Sequence, residues 1–224
     1  MSLRLYFHPL SSFCWKALIA LYENETPFVA VFVDLSNPAE RAALQKLWPI
    51  GKFPVLRDDA RDATIPESTI ILEYLSEHYP GRVQLVPSDP ALARTTRLWE
   101  RFFDLYVHVP MGSIVADRLR PPGKSDPYGI ELAREQLATS YAILEEEMQR
   151  KTWAAGDVFT MADCAAAPAL YYADRVKPLG DQHPHTAAYL ERLRGRPSFM
   201  RVLKEAEPYF NNFPAERSAP NRSA

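Results

Sequence analysis

"LRLYFHPLSSFCWKALIALYENETPFVAVFV", residues 3–33, is the stretch on which the fold turns. Leu3, Leu5 and Phe7 alternate with Arg4 and Tyr6, and this period of two predicts a short strand. From Phe13 to Tyr22 the composition changes to that of an Ala- and Leu-rich helix, and Pro27 to Val33 reads as a second, buried strand. Joints this short between strand, helix and strand define a βαβ unit, so the two strands should be parallel with a right-handed crossover.

Working outward, a helix is predicted from Pro38 to Lys46. "GKFPVL" (51–56) and "ATI" (63–65) then form two more strands around the charged turn "RDDARD", and a helix runs from Glu67 to Tyr79. This βαβ and ββα order describes a thioredoxin-like α/β layer of roughly 80 residues. Pro80, Pro87 and Pro90 stiffen the connection that follows. The expected organisation is therefore a thioredoxin-like domain over 1–80, a linker over 81–90 and an all-α domain over 91–224.

In the second half, "LARTTRLWERFFDLYVHV" (92–109) and "IELAREQLATSYAILEEEMQR" (130–150) carry apolar residues at spacings of three and four. Pro110 should bend or end the first helix, and "RPPGKSDP" (120–127) is a turn. In "DVFTMADCAAAPALYY" (157–172), Thr160 and Asp163 have the spacing of a capping box, and Phe159 stands where it can staple onto Cys164. That motif nucleates a buried helix and carries no catalytic implication. The tail "AERSAPNRSA" is expected to be loose.

Composition narrows the function. With 26 basic and 28 acidic residues and a formal charge of −2, the chain lacks the overall basic balance of a nucleic-acid or polybasic membrane binder. No apolar run reaches the ~18 to 20 residues needed to span a bilayer, and the two distant cysteines, Cys14 and Cys164, form no CxxC pair. A reducing cytoplasm and no metal are the expectation.

Chemistry is expected at the carboxyl end of the first strand, where "HPLSS" leads into the first helix. Free amides at a helix N-terminus favour an anion. Holding a thiolate there needs a shift of around two pKa units, ~2.7 kcal/mol. One hydrogen bond to the anion, worth ~1.5 to 3 kcal/mol, plus ~0.3 to 1 from the helix end is enough. Ser11 or Ser12 can be that donor, or either can merely cap the helix. Phe53-Pro54 suits a cis bond that opens backbone groups to an extended peptide, with Lys52 beside it to hold a carboxylate, although an edge strand with a solvated lysine explains the same residues. Glu67 and Ser68, after Pro66, can grip an ammonium and a second carboxylate, or be ordinary caps.

"SSFCWKALIAL", "GKFPVL", "PESTIILEYL" and "DVFTMADCAAAPALYY" together resemble the cytosolic glutathione transferase family, in its order and spacing over nearly the whole chain. The resemblance implies a thioredoxin-like domain followed by an all-α domain, a homodimer, and glutathione as co-substrate. Ser11 matches the thiolate-stabilising serine of the theta, phi and zeta classes, with Ser12 the alternative donor. Phe53 before Pro54 matches the residue pairing with the cysteinyl unit, Glu67 and Ser68 the γ-glutamyl grip, and Lys52 a residue near the glycyl carboxylate. The zeta-like arginine pair is missing: Lys16 and Leu18 stand there.

The thiol is thus expected to be carried by the co-substrate, with Cys14 buried and inert and His8 without a role. The electrophile is expected over Tyr106, Pro110, Met111 and Ile114, with Tyr209 and Phe210 as a lid. The function implied is conjugation of glutathione to hydrophobic electrophiles. Glutathione-dependent isomerisation or dehalogenation, and a non-catalytic binding module on the same fold, are the alternatives.

Overall fold

Leu3–Phe7 forms β1, Ser12–Glu23 α1 and Val29–Phe32 β2 in the computed structural model, which describes residues 2–215. Pro38–Leu47 forms α2, Val55–Asp58 β3, Ala63–Pro66 β4 and Ser68–His78 α3. The strands lie in the order β2-β1-β3-β4. β1 and β2 are parallel, with Leu5 opposite Ala30, whereas β3 runs antiparallel to both β1 and β4.

The strand expected to be buried is instead an edge. Among the described residues β2 pairs only with β1, and Val29 and Phe32 are 42% and 44% exposed. An apolar run of β-branched and aromatic residues reports strand propensity, which an edge satisfies as well as a centre.

Pro90–Phe102 is α4, and the helical path then continues through a π-helical turn, Phe103–His108, into α5, Val109–Arg118. Pro110 therefore does not end the helix. It lacks an N–H for the Tyr106 carbonyl one turn back; the wide turn closes instead through Val109 N–H to Asp104 O, and Ser140 Oγ donates to Tyr106 O at 2.7 Å. Pro127–Met148 (α6), Met161–Val176 (α7), Pro184–Arg194 (α8) and Pro197–Ala206 (α9) follow, with 3₁₀ turns at Gly180–Gln182 and Glu207–Asn212. From Glu216 onward the tail expected to be loose lies outside the described residues.

α7 begins with the capping box read from the sequence. Thr160 Oγ1 accepts from Ala162 N–H, and Asp163 Oδ2 accepts from Thr160 N–H. Asp163 does more than cap: its other oxygen accepts from Ala154 N–H and the Tyr189 hydroxyl, so one buried carboxylate ties three segments together.

One apolar core runs through both layers. Leu3 and Leu5 of β1, Trp15 and Leu18 of α1, and Leu170 and Tyr172 of α7 all belong to it. Trp15 is fully buried with its ring 4.8 Å from that of Tyr172. Polar ties cross the same boundary. Glu23, at the end of α1, accepts two hydrogen bonds from Arg196 and one from Ser198, so α9 is clamped to the sheet layer. Everything positioned by α1 is thereby fixed to the helical layer as well.

Candidate active site

The loop from His8 to Ser11 is held from both sides. Ser11 N–H bonds His8 O at 3.0 Å, Leu10 N–H bonds His8 Nδ1, the Tyr172 hydroxyl bonds Leu10 O at 2.9 Å, and Trp15 Nε1–H bonds Pro9 O. Two aromatic side chains from the shared core thus fix where the serines stand. Ser11 is the N-cap of α1, and its Oγ accepts from Cys14 N–H at 3.3 Å. An accepting hydroxyl keeps its own proton, so Ser11 remains a donor toward the cavity beside it. Ser12 is occupied differently: its Oγ is hydrogen-bonded to His108 Nε2, from the last position of the π turn. Cys14 is fully buried, and burial pushes its thiol up to about 12, far from thiolate formation at neutral pH.

The Phe53-Pro54 bond is cis. It leads into β3 in the middle of the sheet rather than at an edge. Glu67 occupies φ +67° immediately before α3, a region that non-glycine residues visit rarely and mostly where function requires it. Ser68 opens α3, where the first amides have no helical acceptor.

Lys52, Phe53, Pro54, Glu67 and Ser68 line one cavity of about 210 Å³. Its other wall is Phe13 of α1 and Arg101, Asp104, Leu105 and Val109 of the α4–α5 rod. Two cations and two carboxylates around one cleft suit a ligand that itself carries both signs of charge.

Behind this wall lies a buried ionic cluster. Lys16, 1% exposed, donates to Glu100, to Asp104 at 2.8 Å and to Thr69 at 3.1 Å; Arg101 joins the same three residues. Burial opposes the charge on Glu100, but Arg101 and Lys16 hold its carboxyl down to about 2. Asp104 moves the other way, raised by burial and by the Glu100 charge despite Lys16. The cluster is electrically balanced, and it locks α1 to α4.

Trp48 is a wall residue that sequence reasoning missed. Among the described residues its buried Nε1–H has no hydrogen-bond partner, and Trp48 lines the same cavity as Lys52. Such a donor is costly to leave unmatched. A tryptophan four residues before a lysine was the available signal.

The two serines line a separate cavity of about 260 Å³ with Leu10, His108, Met111, Val115, Leu119, Tyr172 and Phe213. The Phe13 and His108 rings, 4.1 Å apart, stand between it and the charged cleft. Among the side chains expected around an electrophile, only Met111 lines this cavity. Pro110 and Ile114 are buried in the core on another side of α5. Tyr106 is half exposed, with its ring 5.5 Å from that of Phe102. Tyr209 lies beside Phe32 and His8, and Phe210 packs near Trp15 and Tyr171. The C-terminal residue that reaches the cavity is Phe213, stacked 5.4 Å from Tyr172. His8 is likewise no idle surface residue: it stacks 5.7 Å from Phe53, joining β1 to the cis-proline loop.

Comparison with known proteins adds an independent line. The model of the glutathione S-transferase N-terminal domain matches residues 5–83, and that of the C-terminal domain matches 109–197. Glutathione S-transferase 3 of Zea mays is 30% identical over 209 residues, 90% of this chain and 93% of the maize protein. A glutathione S-transferase of Methylobacterium radiotolerans, solved in complex with glutathione sulfonate, superposes with a TM-score of 0.77 at 25% identity, covering 99% of each chain. One from Methylobacillus flagellatus with glutathione bound gives a TM-score of 0.82 at 24% identity, over 90% of this chain and 98% of that one.

Proposed function

The chain belongs to the glutathione S-transferase family, and from that premise we propose that it conjugates the thiolate of glutathione to small apolar electrophiles. The observation that carries this reading is the single cleft formed by Lys52, the Phe53-Pro54 segment, Glu67 and Ser68, next to the N-terminus of α1, where the Ser11 hydroxyl accepts from Cys14 N–H and keeps its own proton.

In this reading the glycyl carboxylate is held by Lys52 and the Trp48 indole N–H. The backbone at Phe53 pairs with the cysteinyl unit. Ser68 and the α3 amides take the γ-glutamyl carboxylate, while Glu67 and Asp104 face its ammonium. The sulfur then lies at the boundary of the two cavities, beside Ser11. Ser11 donates to the anion, whereas the bond to His108 engages Ser12 and argues for Ser11 as donor. The protein contributes ionisation and proximity and forms no bond to the substrate in this reaction. The electrophile occupies the cavity lined by Met111, Val115 and Phe213.

The boundary between the two functional halves falls at 81–90, where the connection runs into Pro90, the first residue of α4. Two copies pair through the outer faces of α3 and α4, where Ile70 and Leu98 are 52% and 64% exposed; light scattering tests this. Among the described residues no helix is long and apolar enough to cross a membrane, and the site of action we propose is the cytoplasm, in detoxification.

The test is an ultraviolet titration of glutathione bound to the unaltered protein and to Ser11→Ala. Loss of a hydrogen bond to an anion, ~1.5 to 3 kcal/mol, corresponds to a rise of about one to two units in the bound thiol's pKa. An unchanged pKa would remove Ser11 from the mechanism.

A further inference from the structure

The cavity beside the serines holds a pair that the conjugation proposed above does not use. Ser12 Oγ is hydrogen-bonded to His108 Nε2, and both side chains line the 260 Å³ space. His108 is largely buried, and that burial, with the nearby Lys16 ammonium, pushes its imidazole down to about 4. The ring is therefore neutral near pH 7, and with its proton on Nδ1 it presents a lone pair to the serine hydroxyl. The Phe13 ring packs against the imidazole and limits its rotation. The π turn that ends at His108 is the kind of helical irregularity that recurs at functional sites.

Ser12 is also the first residue of α1. Ser11 supplies the acceptors for the Cys14 and Trp15 amides. The N–H groups of Ser12 and Phe13 precede the first intrahelical bond, so they have no helical acceptor. A nucleophilic hydroxyl, a neutral base in hydrogen-bond contact and two amides at a helix N-terminus are the parts that acyl transfer requires.

We propose that Ser12 and His108 act as nucleophile and base in cleaving small uncharged carboxylic esters, without participation of glutathione. Ser12 Oγ bonds to the acyl carbon while its proton passes to His108 Nε2, and the carbonyl oxygen gathers negative charge at the amides of Ser12 and Phe13. The bond to the leaving oxygen then breaks, and that oxygen departs with the proton from His108. Water attacks the acyl-serine ester, giving a proton to His108. When the acyl carbon–Oγ bond breaks, that proton returns to Ser12, and a carboxylic acid is released. The ester is uncharged because, among the described residues, no Lys, Arg, Asp or Glu lines the cavity, and its acyl part is short and apolar to lie along Leu10, Met111, Val115 and Phe213.

The test mixes the full chain, free of glutathione, with p-nitrophenyl butyrate in a stopped-flow instrument. Expected are a burst approaching one p-nitrophenol per chain and a butyryl adduct that mass spectrometry maps to Ser12. Ser12→Ala should form no adduct, and His108→Asn should slow the burst on the order of 100-fold, the contribution of a positioned base. Adduct mapping on the unaltered protein decides the matter even if neither variant folds. No burst, an adduct elsewhere, or cleavage only when glutathione is added would overturn the assignment. The last of these outcomes would leave the transferase reading intact.

Discussion

Replacing Lys16 by Met removes the one ammonium that faces two buried carboxylates. In the folded chain the side chains of Lys16, Glu100 and Asp104 are 1%, 0% and 9% exposed, and Arg101 completes a neutral quartet. Met is close to Lys in length, so little packing is lost; what changes is one buried charge. A buried pair broken on one side costs about 3 to 5 kcal/mol, because the surviving ion keeps its desolvation penalty without its partner. Against a total stability of roughly 5 to 15 kcal/mol this is a large fraction. Urea unfolding followed by tryptophan fluorescence measures it directly.

The loss should also depend on pH, with a sign fixed in advance. In the unaltered protein the Glu100 carboxyl is held down to about 2, so its contribution is complete above the unfolded pKa and disappears as the pH falls through about 2. Without Lys16 both carboxyls move up, and Asp104, already raised in the unaltered protein, binds its proton still more tightly in the folded state than in the unfolded one. Stability should consequently fall as pH rises above 5, by at most about 1.4 kcal/mol per unit for each proton involved. Adding Glu100→Gln restores charge balance between Arg101 and Asp104, and should recover about 2 kcal/mol or more of the loss at pH 8. A cost below 1 kcal/mol for Lys16→Met, or no recovery in the double variant, would refute the account of this cluster as a charge-balanced lock.

Trp48→Phe, which deletes a buried donor unmatched among the described residues, should raise the KM for glutathione several-fold without lowering the unfolding midpoint. Val115→Trp, projecting into the 260 Å³ cavity, should lower kcat/KM for a bulky electrophile and leave the KM for glutathione unchanged, as steady-state kinetics would show. Ser140→Ala leaves the Tyr106 carbonyl without its donor and should cost about 1 to 3 kcal/mol in urea unfolding. Burial raises the Asp163 carboxyl to about 6, so the folded state binds its proton more tightly and this group's contribution falls as pH rises. The cost of Asp163→Asn should then shrink by on the order of 2 kcal/mol from pH 4 to pH 7. His108, held near 4, works in the opposite direction over the same range, so the variant rather than the total profile isolates Asp163.

What the sequence discloses follows how local the cause is. The alternation Leu3, Leu5, Phe7 and the Thr160–Asp163 cap are set by neighbours within a few residues, and both stand in the structure as read. The burial of β2 was not local: it depends on which strand lies next to it, and propensity carries no record of sheet order. Prolines show the same division. Pro90 reads as part of the stiffened linker, yet it is the first residue of α4, with Asp89 capping it; a fixed φ and a missing N–H suit the start of a helix as well as an extended connection.

The cavity wall was read only at Met111, for a more specific reason. Helical spacing carried from 92–109 into 110–114 assumes about 3.6 residues in every turn. The π turn at Phe103–His108 adds to that count, and each added residue rotates everything downstream by about 100° relative to an unbroken helix. The rotation puts Pro110 and Ile114 into the core and turns Met111 and Val115 to the serines. Its cause is legible only in part. Pro110 cannot bond to the Tyr106 carbonyl, but whether the chain kinks, stops or widens there depends on another donor reaching that oxygen. That donor is Ser140, 34 residues further along and on a different helix. Local chemistry thus poses the choice at Pro110, and tertiary contact makes it; the same widened turn places His108 against Ser12.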